Sequence, residues 1–326
     1  MPSSSSLPLI TVAGAASKQG RSVAGSLLAS GRYRVRALAR KADSILMRDL
    51  AQRGAEIVVA PLDADHQAVL AEAMRGSHGA FLMTPPVAPA PPPGRPELAL
   101  GVALVDAALS AGVEHVVWSS LENVELRTAG ALWAPHFTEK ALVESHLRAL
   151  PIRSSCIQLA FFYSNFLEYY VPRPQRDGSL KFAVYLPPDV PMPFVDPLTA
   201  TGPAVLSLFD SPDLYAGQTL PVIGEILKAR QIVDTFVTVT GRRAHYASAY
   251  TREELVTHFP TFAADECLVR ELVGMVTYAV NYGYYAPERD LVWSRRNDPN
   301  ALTWDGFLRR TGWHGEPTSF GDANGV

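Results

Sequence analysis

The sequence predicts an α/β fold, a doubly wound parallel sheet joined to a smaller α+β lobe. Three observations predict it. Strand-like and helix-like segments alternate five times in the first half of the chain, the rhythm of βαβ units. The first strand, with the β-branched run Ile10, Thr11 and Val12, enters a turn of small residues at 14–20 and then a helix with Val23, Leu27 and Leu28 on one face. Beyond about residue 160 the alternation stops, and short strands mix with helices of unequal length.

The chain has 326 residues, 48% of them hydrophobic, enough for one large or two modest domains with a substantial core. Lys and Arg number 29 against 32 Asp and Glu, a formal charge of −3 with no basic run, which argues against a nucleic-acid partner. The two cysteines, Cys156 and Cys267, can build neither a disulfide framework nor a CxxC metal site, and read as buried free thiols of a reducing compartment. Residues 1–6 show no basic segment followed by an apolar one, so a signal peptide is not expected. The most apolar long stretch, 99–117, contains Asp106 and Glu114 and reads as a buried helix plus a strand rather than a membrane span. The expectation is a cytoplasmic protein, also compatible with the nucleus, acting as a monomer or homodimer away from membranes.

In chain order, residues 14–20 form a tight turn at a helix N-terminus. Such a terminus offers unpaired N–H groups and a positive dipole end to phosphate, which is the pyrophosphate site of a dinucleotide fold. Small residues also mark ordinary strand–helix turns, so the rest of the chain must decide. Residues 33–40 alternate as a second strand, and at its end stand Arg40 and Lys41, twenty residues after Gly20. An acid there holds the ribose 2′-OH of NAD, whereas cations suit a 2′-phosphate, so NADP is expected. The plainer alternative is a solvated basic loop. A helix at 45–53 precedes a third strand, 56–63, which ends in Asp63. That carboxylate either approaches an adenine or caps the helix that follows.

A short helix at 69–74 and a fourth strand at 79–84 lead to seven prolines within residues 85–96, which exclude helix and central strand there. The segment is a flap over the cofactor or a solvated loop. A helix at 98–111, a strand at 113–120, a helix at 136–150 and a strand at 154–159 follow. Ligands of such sheets bind outside the C-terminal strand ends, and those ends carry Gly14, Arg40, Asp63, Thr84 and Ser119. Beyond an aromatic run at 161–167 come strands at 180–185, 218–222 and 244–248 and helices at 198–209, 226–240, 266–281 and 303–311. The expected division is a Rossmann-type NADP-binding domain at 1–160 and a smaller substrate or partner lobe at 161–326, with segments that interweave. Residues 318–326 are expected to be disordered.

Many short-chain reductases place Tyr and Lys at i, i+4 on one helix face. The Lys holds the ribose and lowers the Tyr pKa, and the Tyr exchanges the substrate proton. The five lysines here, Lys18, Lys41, Lys140, Lys181 and Lys228, follow Gly14, Ala37, His136, Asp177 and Gly224 at that spacing, so no Tyr-x-x-x-Lys exists. The pair His136 and Lys140 sits where it belongs, on the helix after the fifth strand. His136 is suited to proton transfer near neutral pH, or is a helix-terminal histidine bonded to backbone. Lys140 is a cofactor-side cation or a plain surface lysine. No GK[ST], HExxH or G-x-S-x-G motif occurs, and His245, His258 and His314 are isolated, so no metal is expected.

From residue 10 to about 308 the chain resembles the NmrA-like family, an atypical branch of the short-chain dehydrogenases/reductases. Residues 14–20 (GAASKQG) resemble the family's GATGxQG, and 35–40 its second strand with an NADP arginine. Residues 62–65, 119–123, 135–140 and 161–166 resemble successive family blocks. The resemblance implies that Gly14, Ala16, Ser17, Lys18, Gln19 and Gly20 cradle a pyrophosphate and that Arg40 and Lys41 take the 2′-phosphate. Leu62 and Asp63 flank the adenine, and Thr84 and Pro85 lie by the ribose. Lys140 contacts the nicotinamide ribose, and Phe162, Tyr163 and Asn165 line the nicotinamide. Ser17 replaces a family glycine, where its hydroxyl either crowds the phosphate or adds a hydrogen bond.

The resemblance implies two functions. One is an NADPH-dependent reductase of a small apolar carbonyl, enone, quinone or imine, with Lys140, His136 and Tyr163 as the catalytic candidates. The aromatic residues Tyr169, Tyr170, Phe194, Tyr282, Tyr284 and Tyr285 suit a flat substrate there, unless they are core. The other is a non-catalytic NADPH/NADP+ redox sensor that regulates a protein partner. A redox-neutral isomerisation in the same pocket is a third, weaker reading.

Overall fold

The computed structural model describes residues 7–85 and 87–318. The first half alternates as its hydrophobic pattern demands. In order come β1 (Leu9–Val12), α1 (Lys18–Ser30), β2 (Arg34–Ala39), α2 (Ile45–Gln52), β3 (Glu56–Val59), α3 (Gln67–Met74), β4 (Gly79–Leu82), α4 (Pro96–Ser110), β5 (His115–Ser120), the one-turn α5 (Val124–Arg127), α6 (Pro135–Ala149) and β6 (Arg153–Leu159). The second half contributes β7 (Phe161–Phe162), α7 (Asn165–Glu168), β8 (Arg173–Pro174), β9 (Leu180–Val184), β10 (Met192–Val195), α8 (Pro197–Asp210), α9 (Pro212–Tyr215) and β11 (Thr219–Val222). It continues with β12 (Glu225–Leu227), α10 (Ala229–Thr240), β13 (Ala244–Ser248), α11 (Arg252–His258), α12 (Glu266–Tyr282), α13 (Trp293–Asn297) and α14 (Trp304–Thr311).

Seven strands form one parallel sheet in the order β11-β6-β5-β4-β1-β2-β3. This is a Rossmann-like arrangement, with the order reversing between β1 and β4. The pleat sorts neighbouring residues onto opposite faces. Ile10, Val12, Val35, Ala37, Phe81, Val117 and Ile157 join one core with α1, α2 and α8. Ala13, Leu38, Ala80, Leu82, Val116, Trp118 and Cys156 join another with α3, α4 and α6. Both faces are therefore dry, as parallel sheets require. On the first face α8 crosses α1 at Gly202, where a Cβ would lie 2.2 Å from the Ser22 carbonyl oxygen and the Ser26 hydroxyl.

The second half builds two three-stranded sheets, β12-β10-β7 and β13-β9-β8. They pack around buried rings, among them Phe166, Phe182, Phe194, Phe236, Trp304 and Phe307. The first core extends without a break into these rings.

Several sequence expectations shift. The third strand stops at Val59, because Asp63 accepts the Asp65 amide and opens a 3-10 turn at Ala64–His66. The expected helix at 226–240 begins only at Ala229, since Glu225–Leu227 pairs antiparallel with β10. Residues 85 and 87–95 are irregular up to Pro96, the first residue of α4; Pro86 and residues 319–326, and with them most of the expected disordered tail, lie outside the described residues.

Candidate functional site

The turn after β1 is held from both sides. The Ala13 amide donates to the Phe81 carbonyl of β4 and the Ala15 amide to the Leu38 carbonyl of β2. Gly14 adopts a left-handed φ of 65°, so the chain can double back, and the Ser17 amide donates to the Gly14 carbonyl at 2.8 Å. A Cβ on Gly20 would lie 2.2 Å from the Gly14 oxygen, so the helix can start this close to the turn only with glycine there. Ser17 is the N-cap of α1, and its Oγ accepts the Gly20 amide at 3.0 Å while lying 3.3 Å from Met83 Sδ. The Arg21 amide bonds the Ser17 carbonyl. The first two helical amides, of Lys18 and Gln19, bond no carbonyl among the described residues, as expected where a helix begins. Their side chains are committed, Lys18 to Glu168 of α7 at 2.6 Å and Gln19 Oε1 as acceptor from the Ser119 hydroxyl at 2.8 Å. Ala16 is half-buried in the same turn.

Arg40 and Lys41 follow β2 directly and are exposed, and neither forms an ion pair among the described residues. Leu62 is half-buried against the second core. Asp63 spends Oδ1 on the Asp65 amide and on His66, and so caps the 3-10 turn.

A third group of residues meets where β4 ends and α4 and α6 begin. Lys140 Nζ lies 2.6 Å from Glu97 Oε1 and donates to Thr84 Oγ1 at 2.5 Å. Thr84 donates in turn to Glu97 Oε1 at 2.5 Å, and His136 Nδ1 lies 3.1 Å from Glu97 Oε2. Thr84, Glu97 and Lys140 are buried, whereas the His136 side chain is 40% exposed. Pro85, next to Thr84, is half-buried. Burial pushes the Glu97 carboxyl up, but the charges and hydrogen bonds of Lys140 and His136 outweigh it and hold the group down at about 2.

Two further buried carboxyls fasten the helices that carry this cluster. Glu139 accepts the Leu98 amide at 2.8 Å and Glu271 the His136 amide at 2.7 Å. They stand in for caps at α4 and α6, whose N-cap residues Arg95 and Ala134 make no side-chain cap bond. Burial pushes both carboxyls up. Sequence reasoning found Lys140 and His136 but missed Glu97, Glu139 and Glu271. The one available signal was Glu97 directly after Pro96, an acid in a helix's first turn.

Tyr163 is corrected as a catalytic candidate. Its ring is fully buried, stacked on Phe194 and packed against Trp304 and Phe307, and its hydroxyl donates to the Leu302 carbonyl at 3.4 Å. Burial drives the phenol far above its ordinary range. It is a core residue, held by rings of the second half. Phe162 in β7 and Asn165 at the start of α7 remain half-buried. Among the other aromatic candidates Tyr170, Phe194, Tyr284 and Tyr285 are buried, and only Tyr169 and Tyr282 are exposed. The Tyr284 and Tyr285 hydroxyls donate to the Leu159 and Gln158 carbonyls of β6. Glu122, just past β5, pins the same segment by accepting the Ala286 amide and pairing with Arg289 at 2.8 Å. Cys156 is buried with its thiol pushed well up, which suits a packing role.

An open groove of about 540 Å³ lies elsewhere, with Arg173, Leu180, Arg242, Phe259 and Pro317 in its walls and none of the expected catalytic or cofactor-binding residues. Among the described residues no helix is long and apolar enough to cross a membrane, and no three His, Cys, Asp or Glu side chains are grouped to hold a metal.

Comparison with known proteins bears on this geometry. The oxidoreductase FrzB of Cladobotryum sp is 30% identical over 296 residues, covering 86% of this chain and 87% of the relative. The crystal structure of NmrA, a negative transcriptional regulator, in complex with NADP superimposes with a TM-score of 0.73 at 22% identity, covering 93% of this chain and 94% of the other. The NADPH-dependent quinone oxidoreductase QOR2 of Escherichia coli, complexed with NADPH, gives 0.72 at 16% identity over 93% and 100% of the two chains. These two structures share the fold. The model of the NmrA-like family matches residues 7–308, and the chain belongs to that family.

Proposed function

We propose that this protein binds NADP(H) and reduces a small apolar carbonyl, enone, quinone or imine. The observation that carries the proposal is the buried ammonium of Lys140, held by Glu97 and Thr84 beyond the C-terminal end of β4. Ligands of this fold bind at that edge of the sheet, and β4 flanks the switch point beside the turn at 14–20.

The residues present fit a dinucleotide. The turn admits no side chain at Gly20, and, among the described residues, two helical amides are free to face a phosphate and two cations without ion pairs stand at the end of β2. In this reading Gly14, Ala16, Ser17, Lys18, Gln19 and Gly20 form the pyrophosphate cradle, and Arg40 and Lys41 take the 2′-phosphate. Leu62 and Asp63 border the adenine, Thr84 and Pro85 the ribose, and Phe162 and Asn165 the nicotinamide. When bound, the dinucleotide supplies a hydride. Lys140 supplies the proton: it has three N–H donors, of which Glu97 and Thr84 engage two, leaving one for a substrate oxygen or nitrogen or a ribose hydroxyl. FrzB is named an oxidoreductase and QOR2 an NADPH-dependent quinone oxidoreductase, which favours this chemistry.

Calorimetric titration of NADPH, NADP+ and NADH into the wild type and Arg40→Ala tests the cofactor. The expected result is NADPH affinity that falls on the order of tenfold or more in the variant, with NADH unchanged. Equal affinity of the wild type for NADPH and NADH would remove the 2′-phosphate assignment. NADPH consumption with menadione or another quinone tests the reaction.

A second reading has its own support. The Lys140–Glu97 pair is complete without substrate, and the NmrA structure is that of a transcriptional regulator. In that reading the protein signals NADPH against NADP+ to a protein partner, which requires the two forms to favour different conformations. A partner captured equally by both complexes would exclude it.

A further inference from the structure

Lys140 is the proton source in the reading above, yet its side chain is only 7% exposed. A buried acid that gives up its proton at each turnover needs a route by which the proton returns. We propose that Glu97 and His136 form this route, carrying protons between solvent and Lys140 Nζ.

The geometry is that of a short chain with one wet end. Each oxygen of the Glu97 carboxylate has a separate neighbour, Oε1 at 2.6 Å from Lys140 Nζ and Oε2 at 3.1 Å from His136 Nδ1. Glu97 itself is buried, while the His136 ring is 40% exposed, so the imidazole alone of the three meets water. His136 and Lys140 lie four residues apart on one face of α6, and Glu97 reaches between them from α4. A direct step between His136 and Lys140 is unnecessary, because a carboxyl protonated on the His136 side can turn about its Cγ–Cδ bond and present the same proton to Lys140.

Reduction of a carbonyl forms a C–H bond with the hydride and an O–H bond with a proton from Lys140, which is left as a neutral amine. The imidazolium of His136 passes its Nδ1 proton to Glu97 Oε2. The carboxylic acid turns about its Cγ–Cδ bond so that this same O–H faces the Lys140 amine and gives it the proton, and neutral His136 regains a proton from water on the nitrogen it vacated once its half-exposed ring turns outward. Loss of the Lys140 charge is what makes the middle step feasible. Two cations hold the carboxyl down against its burial, and with one of them neutral the burial penalty gains weight.

Other charges face this path. Glu139 of α6, Glu271 of α12 and Arg95 before α4 are the near neighbours. Glu271 accepts the His136 amide at 2.7 Å. Thr84 completes the end of the chain, with its one proton donated to Glu97 and its oxygen accepting from Lys140.

The route rests on Lys140 as proton donor but runs in both directions at rest, so it can be tested without turnover. With five lysines in the chain, Nζ-15N labelling of the full-length protein allows solvent exchange of the Lys140 ammonium to be followed by NMR. His136→Gln, a change at a half-exposed side chain, is the primary variant. It is expected to slow Lys140 exchange by on the order of tenfold or more and to be rescued by added imidazole. Glu97→Gln is expected to slow exchange without rescue by imidazole. Exchange that His136→Gln leaves unchanged, or that added imidazole does not restore, overturns the route whatever the turnover data say. Absence of NADPH oxidation with quinones, alongside the expected exchange behaviour, would instead count against the reductase reading alone.

Discussion

Two regions at one edge of the sheet are built in opposite ways. The turn at 14–20 is local: its glycines, its capping serine and its free amides lie within seven residues and the ends of two neighbouring strands. The cluster around Lys140 is assembled at long range. Thr84, Glu97, His136 and Lys140 come from the end of β4, from α4 and from α6, and Glu139 and Glu271 fix the two helix ends from outside. The first region works by what its backbone leaves unbonded, the second by what its side chains neutralise. Disturbing the turn should therefore act mainly on ligand affinity, and disturbing the cluster mainly on stability and proton transfer.

The largest effect is expected in the cluster. Lys140→Met leaves Glu97 buried without its principal counter-charge, and half-removal of a buried pair costs about 3–5 kcal/mol. Urea unfolding should show this loss, and the double variant Glu97→Leu/Lys140→Met should recover much of it. A single variant as stable as the wild type would mean that water reaches the pair freely.

In the turn, Gly20→Ala tests the opposite balance. The added Cβ meets backbone at 2.2 Å, and accommodating it costs about 1–3 kcal/mol while moving the amides proposed to face a phosphate. NADPH affinity should fall out of proportion to stability. Comparable affinity in this variant would show that the amides of Lys18 and Gln19 are not the phosphate ligands.

Acid titration sharpens the comparison from the cluster side. The Glu97 carboxyl is lowered from 4.5 to about 2 in the fold, so the stability it confers is fully present above pH 4.5 and is lost as the pH falls through about 2. Glu139 and Glu271 are shifted upwards and carry the opposite sign, gaining stability as the pH falls through their raised values. Comparison of the wild type with Glu97→Gln isolates the first contribution. Stability lost between pH 4.5 and 2 should shrink in the variant, and an identical acid limb would remove Glu97 as an ionised partner of Lys140.

The same contrast explains what the sequence made legible. The parallel sheet, the turn and the two cations after β2 could be read because each depends on residues close in the chain and on a period that the sequence carries. Lys140 and His136 could be read because four residues on a helix share a face. Glu97 could not, since it sits 39 residues before His136 and looks like any acid in a first helical turn. Tyr163 lies in a segment that resembles a family block, but Phe194, Trp304 and Phe307, all distant in sequence, decide that its ring is core. Likewise β11 has the pattern of a strand, but its pairing with β6 at the sheet's edge is a long-range fact.

The smallest change tests the turn where it departs from its family's pattern. Ser17 carries a hydroxyl in place of the glycine of GATGxQG, and that hydroxyl takes the Gly20 amide at 3.0 Å. An amide already bonded to a side chain is a weaker ligand for phosphate than a free one. Replacing a capping serine with glycine costs only a few tenths of a kcal/mol. Ser17→Gly should therefore leave the melting temperature nearly unchanged and tighten NADPH binding by several-fold, about 1 kcal/mol, the worth of one released hydrogen-bond donor. If affinity falls instead, the hydroxyl itself faces the phosphate and rotates away from Gly20 when ligand enters. The serine then belongs to the binding surface, and the turn, like the cluster, depends on a side chain as well as on its backbone.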